Sequence, residues 1–145
     1  MASLDGSAEG DNTVAAEENK ALVRRFVEAQ ANADLDTLDE LLAPDFVDHS
    51  LEPGQDAGRD GYMRGVVEES FSNQRTIIED QAADGDKVIS RLTIKRIHDR
   101  GEFLGVAPTG MELQSTAIVI HRISGGKIVE EWSESSGLLR QRASG

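Results

Sequence analysis

Cysteine is absent from the chain. That excludes disulfides, thiolate metal sites and a cysteine nucleophile, and it is compatible with a cytoplasmic protein. Aromatic residues are scarce, at 4%, so aliphatic side chains must carry most of the packing. No apolar run reaches the roughly 18 residues that would read as a membrane span, so no membrane partner is expected. The chain opens with neither a basic stretch nor an apolar one, and no secretory signal is expected. Basic residues are short as well, with 15 Lys and Arg against 27 Asp and Glu. They form no stripe, so the phosphate contacts that nucleic-acid binding needs are missing and no nucleic-acid partner is expected. The acidic surplus reads as a solubility device. The three histidines show neither H-x-H nor H-x-x-x-H spacing, and no metal site is expected. No glycine-rich stretch leads from a strand into a helix, and no G-x-S-x-G elbow occurs, which argues against a phosphate cradle and a serine nucleophile.

What is present suits one domain, because 145 residues can bury a single sizeable core. Residues 1–14 are mostly Gly, Ser, Ala and acid, too polar to offset ordering entropy, and read as a disordered acidic tail. Residues 15–142 then form the domain. Leu22, Val23, Phe26, Val27 and Gln30 make one face of a helix. Leu35, Leu38, Leu41 and Leu42 make a second, with Asp34 or Asp36 as its cap and Pro44 as its end. A third helical pattern runs from Arg59 to about Phe71. Four strands are predicted after it, over Arg75–Ala83, Lys87–Ile97, Met111–Ile123 and Ile128–Ser133, joined by Asp84-Gly85-Asp86 and by Ser124-Gly125-Gly126-Lys127. Helices first and an antiparallel meander afterwards give an α+β fold, a cone with a single pocket. The stretch Ile97–Gly110, IHDRGEFLGVAPTG, breaks the pairing with a loop that bears a histidine. A loop held by a rigid sheet is a common place for function.

Alternation assigns side chains to faces. If Gly125-Gly126 is a two-residue hairpin loop, Ile123 faces Ile128, His121 faces Glu130, Val119 faces Trp132 and Ala117 faces Glu134. The apolar faces then coincide. His121, Glu130, Trp132 and Glu134 point inward, where desolvation would lift a carboxylate toward the range useful for proton transfer. Ile118 and Ile120 have the outward parity and suggest a homodimer through the outer sheet face.

The order of DFVDHS, DGDKV, GEFLGVAPTG, GGKIVEEW and GLLRQ resembles the SnoaL-like polyketide cyclases, a family of the NTF2-like (cystatin-like) superfamily. The resemblance covers about residues 17–142. It implies an α+β cone with three N-terminal helices packed in a curved, mainly antiparallel sheet. It also implies a pocket for a small hydrophobic carbonyl compound, without cofactor or metal, in which an acid/base closes a ring by aldol condensation. His49 matches the family's helix-side histidine, His98 the histidine before GEFLG, and His121 a strand histidine. In the family an Asp beyond the last-strand Trp does acid/base work. Here Trp132 is followed by Ser133-Glu134-Ser135-Ser136-Gly137, about two residues short, so that position falls on Glu134 or on Ser135/Ser136. The candidate catalytic set is therefore Glu134, His121 and His49. Candidate pocket walls are His98, Trp132, Phe46, Tyr62 and Phe103. Two further readings stand beside the enzyme: a non-catalytic binder of a small molecule, and a dimeric scaffold of the same fold.

Overall fold

The computed structural model describes residues 6–51 and 54–137. Helix α1 spans Gly6–Ala31. Residues 1–5 of the expected disordered tail lie outside the described residues, and residues 6–14, also expected to be disordered, form the first turns of α1 instead. Val23, Phe26, Val27 and Ala29 of α1 are buried, the stripe read from the sequence. Ala33 takes a positive φ of 52° and breaks the helix. Asp34 then caps α2 (Leu35–Leu41), its carboxylate accepting from the Thr37 N–H at 3.2 Å and the Thr37 hydroxyl at 2.7 Å.

The next segment corrects the sequence reading. Leu42–Asp48 is a strand, β1, between α2 and the third helix α3 (Arg59–Val67). The sheet therefore has five strands rather than four, and one of them is interleaved among the helices. Pro44 is tolerated because β1 lies at the sheet edge and its register with its one neighbour skips between Leu42 and Val47. The remaining strands are β2 (Phe71–Asp84), β3 (Lys87–His98), β4 (Glu112–Ser124) and β5 (Lys127–Ser136). Strand β2 starts at Phe71, where a helix end was expected, because Phe71 pairs with His98 at the far end of β3.

The strand order is β1-β5-β4-β3-β2, antiparallel except that β1 runs parallel to β5. Two irregularities in β2, after Ser72 and after Ile78, bend the sheet. Helix α1 packs across β2 and β3, and α3 packs against β1. This is the expected α+β fold of three helices in a curved mixed sheet. The core joins Val23, Phe26, Leu38, Leu42 and Phe46 to Val88, Ile123 and Ile128. Among the described residues, no helix is long and apolar enough to cross a membrane.

Leu38 is fully enclosed and Leu104 stands out in solvent. Leu38→Ala should therefore cost about 2–5 kcal/mol in chemical denaturation, and Leu104→Ala should stay within about 0.5 kcal/mol. Equal effects would contradict the described core.

Candidate functional site

The site is set by the turn between β4 and β5. Gly125 and Gly126 have φ of 59° and 75°, the positive values a two-residue hairpin turn demands. Ser124 pairs with Lys127 and Ile123 with Ile128, as the sequence implies. One residue later the pairing slips: Arg122 faces Glu130 and His121 faces Glu131. Val129 is the extra residue. It is buried together with Ile128. From there to its end, β5 shows the opposite parity to the one expected.

Glu131, Ser133 and Ser135 consequently face inward. With Phe26, Val27, Gln30, Tyr62, Thr76, Leu92, Ile94, Ala117, Val119 and His121 they enclose a cavity of about 190 Å³. His121 is 1% exposed, and its Nε2 lies 2.7 Å from Oε1 of Glu131, itself 12% exposed. The edge of the imidazole meets Phe26 at a centroid distance of 5.2 Å. Its Nδ1 is buried without a hydrogen-bond partner. If Nε2 donates to Glu131, Nδ1 holds a lone pair that no protein donor satisfies.

Asp48 enters from β1, paired with Glu131. Burial, and then the charge of Glu131, push its carboxyl up from the ordinary value, although the Ser50 N–H donates to it at 2.9 Å. Burial likewise holds the Tyr62 phenol well above its usual value, helped by Glu131, Asp48 and Glu69. Tyr62 is thus kept as an O–H donor. The inner site unites a carboxylate–imidazole pair, a second carboxyl and a phenol beside apolar walls. That combination can move a proton on a small apolar molecule. Among the described residues, no group of three or more His, Asp or Glu could hold a metal ion.

Several sequence-based placements are corrected by the slipped register. Glu134 is exposed, opposite Ile118 on the outer face. Trp132 is also on the outer face, and His49 stacks on it at 4.8 Å rather than entering the cavity. The Nε2 of His49 meets Glu130 at 2.6 Å, and Arg122 donates to the other oxygen of Glu130. Arg122 and His49 hold the Glu130 carboxyl below its usual value. His98 is buried, but it serves the loop: its Nε2 reaches the Gly101 carbonyl at 2.7 Å and its ring lies 5.3 Å from Phe71. Phe103 packs edge-on against Phe71, and Phe46 packs in the core against Tyr62. Neither lines the cavity. His121 and Tyr62 do. Glu131, Ser133 and Asp48 were missed, and of the alternatives left open after Trp132 it is Ser135, not Glu134, that lines the cavity. The signal for Glu131 was the pair Ile128-Val129, two adjacent apolar residues where strict alternation allows one inward.

The SnoaL-like polyketide cyclase profile matches residues 20–142. The chain belongs to this family. Among solved structures, it is similar to IdmH from Streptomyces antibioticus, described as a candidate polyketide cyclase. The identity is 31% over 83% of this chain and 95% of that one, with a TM-score of 0.70. It is also similar to AclR from Streptomyces galilaeus, a candidate hydroxylase, with 29% identity over 83% and 90% of the two chains and a TM-score of 0.68. No curated relative matches the sequence at a significant level.

The raised Asp48 carboxyl sets a sign for stability against pH. The folded protein holds this proton more tightly than the unfolded chain. The stabilisation is complete below the unfolded value and is lost as pH rises through the raised folded value. Asp48→Asn keeps the acceptor for Ser50 and removes the charge. It should melt higher than the parent near neutral pH, with the gain shrinking toward pH ~4, below which the unfolded carboxyl is itself protonated. A loss of melting temperature that is constant across pH would contradict this.

Proposed function

We propose that the chain binds a small, largely apolar carbonyl compound in the inner cavity and moves protons on it, needing no cofactor. The observation that carries this reading is the buried His121–Glu131 pair on the cavity wall, with an unpartnered imidazole Nδ1. In an aldol-type reaction Nδ1 takes a proton from the carbon next to a carbonyl. The electron pair becomes an enolate, whose carbon attacks a second carbonyl in the same molecule. The new alkoxide then recovers the proton from Nδ1, so atoms and charge balance. Glu131 stabilises the imidazolium in between, and the Tyr62 phenol is a donor for an oxyanion. Family membership and the similarity to a candidate polyketide cyclase support this class of chemistry. The acid/base expected at Glu134 is reassigned to Glu131 and His121.

The test is deuterium exchange at the activated carbon of an acyclic diketone, followed by NMR. The protein should accelerate exchange and ring closure. Glu131→Gln can present an amide N–H to Nε2 and drive the proton onto Nδ1. That variant and His121→Asn should each lower the rate by about 10²–10⁴-fold. Rates equal to the parent in both variants would contradict the mechanism.

A second reading, a non-catalytic binder, is favoured by the serines and the exposed Glu134 that stand where the family carries its Asp. Under it, the two variants change affinity and no turnover is seen. We also propose a homodimer through the outer sheet face, where Ile118 is 51% exposed, near Ile120 and Trp132. Light scattering should give the mass of two chains, and Ile118→Asp should give one. A single-chain mass for the parent at micromolar concentration would rule the dimer out.

A further inference from the structure

The inner face does not end at the cavity. Two positions beyond Ile94 on β3, on the same face, stands Arg96, opposite Leu113 of β4. Ser115, opposite Ile94, lies between Leu113 and the cavity residue Ala117. These are the next inward positions on two strands that wall the cavity.

The Arg96 guanidinium lies 3.8 Å from the centroid of Phe71 and 5.6 Å from that of Phe103. Stacking uses the flat face of the group and leaves its N–H edges in the plane, free to bond. Its Nε is nevertheless buried without a partner. Glu69 feels the charge, but among the described residues the two form no salt bridge. The Ser115 hydroxyl, 3% exposed, is unpartnered as well. Buried donors without acceptors are costly. A structural arginine would be expected to hold a carbonyl or a carboxylate, as Arg122 holds Glu130.

We propose that Arg96 and Ser115 form an anion-receiving end of the cavity, and that the ligand is an apolar molecule bearing a carboxylate. The apolar body occupies the space between Phe26, Leu92 and Val119. The carboxylate accepts from the Arg96 edge, in the fork geometry that guanidinium and carboxylate share, and from the Ser115 hydroxyl. Because the surface is strongly acidic, with a net charge of −12, long-range attraction does not draw an anion in. The half-buried Arg96 guanidinium must do so at contact. This inference rests on the cavity of the proposed function, but it concerns which ligand enters rather than which proton moves.

The test compares naphthoate with its neutral amide, naphthamide, by calorimetry, with acetate as the bare anion. The parent should bind naphthoate at least about tenfold more tightly than naphthamide, the range of a charge-assisted hydrogen bond. Arg96→Met should abolish that preference and Ser115→Ala should reduce it. Arg96→Lys, which keeps the charge and the stacking stem but loses the fork, should retain part of it and stands in if Arg96→Met does not fold. Equal binding of the two probes by the parent, binding of neither, or an undiminished preference in both Arg96 variants would overturn the proposal. Acetate binding as tightly as naphthoate would mean an anion site unconnected to the cavity, and would overturn it too. The preference is read without turnover. If His121→Asn and Glu131→Gln leave diketone exchange unchanged while the preference persists, the proton chemistry fails and this site stands.

Discussion

One residue, Val129, decides which carboxylate the protein buries. Without the bulge, strict pairing from the Gly125-Gly126 turn would carry Glu130, Trp132 and Glu134 to the inner face. With it, Glu131, Ser133 and Ser135 go in and the others go out. The bulge forfeits ladder bonding at one position, about 0.5–1.5 kcal/mol per hydrogen bond. In return Ile128 and Val129 are buried together, and enclosing one more valine is worth up to about 1.5–3 kcal/mol. Apolar burial therefore outweighs regular pairing here, and the charged pattern downstream follows from it.

The two faces of β5 then hold different electrostatics. Outside, Arg122, Glu130 and His49 form a partly exposed network against Trp132. Exposed ion pairs add little stability, and this one fixes side-chain positions more than it holds the fold. Inside, Glu131 shares a desolvated space with Asp48, His121 and Tyr62. The imidazole partners one carboxylate and the other is driven toward its protonated form. A fold that needed only stability would put apolar side chains there. The polar groups kept inside at such cost, around an opening lined by Leu92, Ile94 and Val119, are the ones the proposed ligand would complete.

Much of the fold was legible because it rests on periodicity. The α1 stripe through Phe26, an aspartate cap on α2 narrowed to Asp34 or Asp36, the Gly125-Gly126 turn and the paired meander follow from local spacing and turn chemistry. Strand β1 was not legible. Its seven residues contain Pro44 and make their ladder with β5, more than 80 positions away, so no local signal announces them. The site was half legible. His121 and Tyr62 could be placed because β4 is regular and α3 is amphipathic. Glu134, Trp132 and His49 were misplaced by one cause, since a single extra residue inverts parity from that point to the strand's end. His98 and Phe103 were misread for another reason. The loop they anchor turns back on itself, with Phe103 bridged to Val106, and closes onto Phe71 instead of opening over a ligand.

The proposed chemistry depends on His121 being bound through Nε2 to Glu131 with the lone pair of the neutral ring on Nδ1. Long-range proton–nitrogen NMR of the imidazole rings in nitrogen-15-labelled protein tests it most directly. A slowly exchanging His121 Nε2–H is expected that vanishes in Glu131→Ala and persists in Glu130→Ala. A proton resident on Nδ1 in the neutral ring, or a signal lost in Glu130→Ala and kept in Glu131→Ala, would contradict it.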